Sequence, residues 1–179
     1  ELDPGNATYL RARGEIATWT GDDALALDSF ERVLAAAPAD NAALLGAARA
    51  AARSGKKDAA VPRYRAYLEQ RPDDRDVALE YLELEAERGD IPALKEADAG
   101  FRKRYGATRE YWLRLADLYA LGGDAAAASA ALSEATRLAP QDHALFHRLA
   151  QSYQSEQGAA QASAAIERAV ELDPKNLEY

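Results

Sequence analysis

Two kinds of helix-breaking residue recur in fixed phase along this chain of 179 residues. Prolines stand at Pro4, Pro38, Pro72, Pro140 and Pro174, so the steps are 34, 34, 68 and 34, and the missing member falls on Gly106. A second series, Gly21, Gly55, Gly89 and Gly123, keeps the same step of 34, with Gly158 one place late. A fixed period of this length marks stacked supersecondary units, each of which buries its apolar face only against a neighbour.

Between the breakers the sequence reads as helix. From Tyr111 the apolar positions Trp112, Leu115, Ala116 and Tyr119 follow three- and four-residue spacing, one face of a helix. Asp124, after Gly122 and Gly123, suits the cap of the next helix, whose stripe runs Ala128, Leu132, Ala135 to Pro140. Each unit is thus two helices of about a dozen residues joined by a short glycine turn. β-branched residues are too scattered to build strands.

Composition agrees with thin, two-layer helical packing. Hydrophobic residues make up 48% of the chain and charged ones 29%, but much of the apolar share is alanine. Alanine favours helix and buries little area. The net charge is -8, the wrong sign for a phosphate-binding surface, so nucleic acid and anionic membranes are poor candidates for partners. Cysteine is absent, which removes disulfides, thiolate metal sites and cysteine catalysis. No stretch approaches the roughly 18 apolar residues of a membrane-spanning segment.

These residues resemble the tetratricopeptide repeat family. The unit 109–142 fills each place of its pattern with Trp112, Leu115, Ala116, Tyr119, Gly123, Ala128, Leu132, Ala135 and Pro140. The unit 143–176 supplies Phe146, Leu149, Ala150, Tyr153, Ala162, Ile166, Ala169 and Pro174, and 41–74 supplies Leu44, Ala47, Ala48, Gly55, Ala60, Tyr64 and Pro72. The unit 7–40 has Leu10, Gly14, Gly21, Ala26, Phe30 and Pro38, with Arg13 where leucine is expected. The unit 75–108 departs most: Leu82 and Leu94 take small places, and Glu85 and Asp98 take apolar ones. Its alternative stripe Leu94, Ala97, Phe101, Tyr105 points to a second helix turned about its own axis. Pro92 suits a helix start, whereas Pro62 lies deeper, where a kink or a late start is expected.

The resemblance implies an all-α fold, a right-handed α-α superhelix or solenoid of about five helical hairpins. Residues 1–6 read as the end of a preceding repeat, since Glu1-Leu2-Asp3-Pro4 matches Glu171-Leu172-Asp173-Pro174, and 177–179 as the start of a following one. The expectation is a piece of a longer array.

By the same resemblance, the first helix of each hairpin lines a groove that binds a protein or peptide segment. The matching places are Arg11, Glu15 and Trp19, then Arg49 and Arg53, then Glu80, Glu83 and Glu87, then Arg114 and Asp117, then His147, Arg148, Gln151 and Gln154. Their charges run mixed, basic, acidic, mixed, and the acidic, irregular third hairpin is the expected recognition element. The places at which some family members hold a C-terminal carboxylate carry Arg11, Glu15, Gly46, Asp76 and Glu80, so that clamp is missing.

Other features carry less. His143 and His147 have a chelating spacing, but only Asp142 stands near them and it suits a helix cap, so no metal or cofactor is expected. Asn6-Ala7-Thr8 is a glycosylation triplet, and Trp19 suits stacking on a sugar or an aromatic partner. No catalytic constellation stands out, so the chain reads as a non-catalytic scaffold. Arginine outnumbers lysine 17 to 5, as in GC-rich bacterial genomes. Long acidic arrays of this type resemble the periplasmic part of outer-membrane exporters of Pel, cellulose or poly-N-acetylglucosamine. That resemblance implies a periplasmic location, recruitment of a modifying enzyme, or contact with a polysaccharide. The competing expectations are a regulatory arm of an enzyme and direct carbohydrate binding.

Overall fold

The computed structural model describes residues 6–155 and 158–176, and among these it contains ten α-helices and no strand. The helices are α1 (Ala7–Thr20), α2 (Asp23–Ala36), α3 (Asn41–Arg53), α4 (Lys57–Gln70), α5 (Arg75–Arg88), α6 (Ile91–Tyr105), α7 (Arg109–Gly122), α8 (Ala125–Leu138), α9 (His143–Ser155) and α10 (Ala159–Leu172). The chain divides into two compact units, residues 1–84 and 85–179.

The helix ends keep the 34-residue phase. Asn6, Asp40, Asp74, Thr108 and Asp142 precede the first helix of each pair, and each side-chain oxygen accepts from a backbone N–H two or three residues on, at 2.9–3.2 Å. Asp22, Asp90 and Asp124 cap second helices in the same way, accepting from Leu25, Ala93 and Ala127 at 2.9–3.1 Å. Such caps satisfy donors that the first helical turn leaves unbonded, at about 1 kcal/mol each.

The glycine series closes the first helices. Gly21, Gly55, Gly89 and Gly123 have φ between 68° and 89°. The following residue donates back to a carbonyl five residues earlier, as Asp22 does to Ala17 at 2.9 Å and Asp124 to Tyr119 at 2.9 Å. This is the left-handed helix stop that favours glycine. The prolines sit differently. Pro38, Pro72, Pro140 and Pro174 are each spanned by a four-residue turn, as with Asp40 N–H to the Ala37 carbonyl at 3.0 Å and Asp142 to Ala139 at 3.1 Å. At Gly106 the backbone instead takes φ 73° and ψ -175°. Proline cannot reach positive φ, which explains why the fourth member of its series is glycine. Pro92 falls in the first turn of α6, but α4 starts at Lys57 and runs through Pro62 to Gln70, so that proline does not delay its helix.

In the first unit α1 packs on α2, α3 on α4, and α2 on α3. Leu10, Ala17, Phe30, Val33, Ala43, Ala47 and Ala50 form its buried seam. In the second unit α7 packs on α8, α8 on α9, and α9 on α10, around Leu94, Phe101, Leu115, Leu132, Ala135, Leu149 and Ala169. Leu94 and Phe101 of the alternative stripe are buried, while Ala97 and Tyr105 are half-buried. Both carboxylates at apolar places, Glu85 and Asp98, are fully buried.

Candidate functional site

The face expected to bind a partner lies on the first helices, and its side chains are held by distinct contacts. On α1, Arg11 pairs with Asp40, the cap of α3, and Glu15 is exposed with no polar partner among the described residues. Trp19, on the last turn, is 84% exposed. On α3, Arg49 donates from Nε and a terminal nitrogen to the two oxygens of Glu80 at 2.9 and 2.6 Å, a two-pronged pair. Arg53 pairs with Asp23 at 2.7 Å.

The basic block on α3 and the acidic residue on α5 therefore neutralise one another in part. Glu80 also accepts from the Tyr64 hydroxyl at 3.1 Å. Burial, then the Glu80 charge, drives the Tyr64 phenol well above its ordinary value, and the Glu80 hydrogen bond holds the Arg49 proton more tightly. Glu83 is half-buried and Glu87 exposed. The acidity of the third hairpin is thus spent partly inside the fold.

In the second unit, Arg114 and Asp117 are exposed on α7, and Asp117 pairs with Arg148 of α9. His147 and Arg148 are half-buried, Gln151 and Gln154 exposed, and Gln151 Nε2 lies 3.3 Å from His147 Nε2. His143 Nε2 stands 3.8 Å from Asp173, while Asp142 is occupied by its capping bond and by Arg109 at 2.7 Å. No group of three histidine or carboxylate side chains among the described residues is placed to hold a metal ion.

One hollow gathers several expected residues. It measures about 270 Å³ and lies between α1 and α3 over Phe30 of α2, with Trp19, Leu45 and Gly46 as apolar walls and Glu15 and Arg49 at the rim. Its floor is fixed by two glycines. A Cβ on Gly14 would stand 2.8 Å from the Phe30 ring, and one on Gly46 2.5 Å from it. Any larger residue at either place forces the ring to move.

Three features escape the sequence reading. Leu121, on the last turn of α7, is 61% exposed and holds the same repeat position as Trp19, Arg53 and Glu87. The counter-ions Asp40 and Asp23 stand 29 and 30 residues from Arg11 and Arg53. Asp98 sits at a saturated buried centre. Its Oδ1 accepts from Arg102 Nε at 2.7 Å and the Tyr111 hydroxyl at 2.8 Å, and Oδ2 from Arg102 at 2.8 Å and the Tyr119 hydroxyl at 3.2 Å. Burial, then the Asp98 charge, drives both phenols well above their ordinary value. Phe101 stacks on Tyr111 at 4.5 Å and Arg102 lies over Trp112 at 5.2 Å, so this carboxylate serves packing. A signal existed: an aspartate on the apolar stripe of α6, with tyrosines on the stripe of α7.

Comparison with known proteins is consistent with this geometry. The tetratricopeptide repeat family matches residues 45–93, 110–142 and 143–176. No curated protein matches the chain. Among solved structures, the crystal structure of MamA protein aligns with a TM-score of 0.68 at 16% identity, covering 97% of this chain and 94% of that one. MamA from Desulfovibrio magneticus RS-1 aligns at 0.65 and 15% identity, covering 99% and 100%. A further MamA structure, MSR-1, aligns at 0.63 and 19% identity, covering 94% and 97%. At these identities the likeness is one of fold.

Proposed function

This chain belongs to the tetratricopeptide repeat family, and from that premise we propose that it holds a segment of a partner protein on the exposed face of its first helices, with α1 and α3 as the principal contact. The coarse function, a protein-interaction scaffold, goes with the family and the fold. The finer assignment takes the repeats as 7–40, 41–74, 75–108, 109–142 and 143–176, and places the contact at Arg11, Glu15, Trp19, Arg49 and Arg53. Glu80, Glu83, Glu87, Arg114, Asp117, His147, Arg148 and Gln151 continue the same register on α5, α7 and α9.

The observation that carries this reading is the hollow beside Trp19. A tryptophan exposed to 84% gains almost nothing for the fold, whereas tryptophan beside an apolar hollow is the usual makeup of a binding hot spot. The exporter resemblance gains nothing from the MamA likeness and remains a reading of composition. Reversing Glu80 is a poor test, because it also breaks the Arg49 pair. The immobilised chain should retain its partner from a lysate of source cells, and Trp19→Ala with Glu15→Lys should lose it. Arg32→Ala with Glu69→Ala, at exposed places on second helices, should retain it. Equal retention by all three contradicts the proposal.

A further inference from the structure

The hollow beside Trp19 has a size, a floor and a charge, and together these specify what fits it. At about 270 Å³ it falls below the roughly 300–1,000 Å³ of sites that enclose whole small molecules. It is large enough for one big side chain. Its walls are apolar, and Phe30 is pinned between Gly14 and Gly46, so the floor is rigid. At the rim stand one carboxylate and one guanidinium with unequal freedom. Arg49 spends its charge and a two-pronged hydrogen bond on Glu80, while Glu15 has no polar partner among the described residues. The hollow therefore presents an uncompensated negative charge beside an apolar socket.

Resting on the proposed function, we infer that this hollow is the anchor socket for one large apolar side chain, leucine or an aromatic, flanked by lysine or arginine in the partner segment. The apolar side chain enters against Phe30 and the Trp19 indole, and the neighbouring cation meets Glu15. Because the Arg49 charge is already paired with Glu80, an acidic flank competes with that pair and meets Glu15 in repulsion. A methyl group at position 46 would stand 2.5 Å from the Phe30 ring and displace the floor against which the anchor packs.

The test uses the whole 179-residue chain and three synthetic peptides, Gly-Ser-Lys-Leu-Lys-Ser-Gly and its analogues with alanine for leucine and glutamate for both lysines. Amide and indole NMR signals are followed up to about 1 mM peptide, a range that reports weak single-anchor binding. The lysine–leucine peptide should shift the Trp19 indole and the Leu45 and Gly46 amides, and leave the Trp112 indole in place. Both analogues should bind about tenfold more weakly or less, the scale of one lost anchor or charge contact. Gly46→Ala, once its circular dichroism shows intact helix, should abolish the shifts, and so should exposed Trp19→Ala read on the Leu45 amide. Equal shifts with all three peptides, or none with any, overturn the inference. So does a glucosamine hexamer that moves the Trp19 indole where the peptides do not. If the peptides fail while Trp19→Ala with Glu15→Lys still loses the native partner, only the socket falls. If both fail, the proposed face falls with it.

Discussion

Helices α3 and α7 hold the same place in their repeats and solve it with opposite chemistry. On α3 the positions turned to the preceding helix are Ala43, Ala47 and Ala50, each 0% exposed, and the large group comes from the other side as Phe30. On α7 the matching positions are Tyr111, Leu115 and Leu118, all buried, and the tyrosine hydroxyl there reaches a buried carboxylate. One period thus admits a shallow junction, with a hollow lined by Ala42, Leu45 and Gly46 beside it, and a deep one that is filled by aromatic and charged groups. Small residues keep the helices close and the surface hollow accessible, whereas large ones close it and call for polar partners inside. The difference separates a surface free to bind from one committed to packing.

The strongest way to break the comparison is to remove the ring on which the shallow junction depends. Phe30→Ala should lower the stability of the first unit by about 3–4 kcal/mol, since alanine neighbours cannot close the cavity. Thermal or urea unfolding read on that unit checks it, and a loss below about 1 kcal/mol means that the junction does not rest on Phe30. Next is Asp98→Ala in the second unit, expected to cost about 3 kcal/mol by leaving two tyrosine hydroxyls without their acceptor. Arg102 can turn to solvent, which limits the loss, so Asp98→Asn should recover part of it.

A middling effect sharpens the link between period and path. Gly106→Pro restores the residue that the series expects and should still destabilise by about 1–3 kcal/mol, because φ there is 73°. Pro72→Gly, by contrast, should cost less than about 1 kcal/mol, acting mainly through the unfolded chain. The smallest effect concerns pH. Tyr111 and Tyr119 have phenols raised above 10.0, their ordinary value. Their contribution is fully present below pH 10 and is lost as pH rises beyond it, because the unfolded chain releases those protons first. Melting temperature against pH from 8 to 11 should fall above pH 10, and less so in Tyr111→Phe.

Most of the fold was legible because its signals are local. Caps such as Asp124 and Asp142, the left-handed glycines and the turn prolines act within a few residues of their own position, and all keep step with the period. Even the oddity at Gly106 was visible, though its cause, a positive φ, was not. The candidate site was legible only as a register. Which of its side chains are engaged depends on partners about one period away, as with Arg11 and Asp40 or Arg49 and Glu80, and helical spacing carries no such information. The hollow needs three helices at once. Leu121 lies outside the family pattern, and a leucine there carries no local signal of its exposure.

The most direct test of the account places a photo-crosslinking residue, benzoylphenylalanine, at Trp19 in one variant and at Arg32 in another. Both positions are exposed, but Trp19 belongs to the first helix and its hollow, and Arg32 to the second helix. Irradiated in source cells, the Trp19 variant should form a single crosslinked product with a partner protein, and the Arg32 variant should not. Crosslinking of the same partner from Arg32, with none from Trp19, would contradict the account.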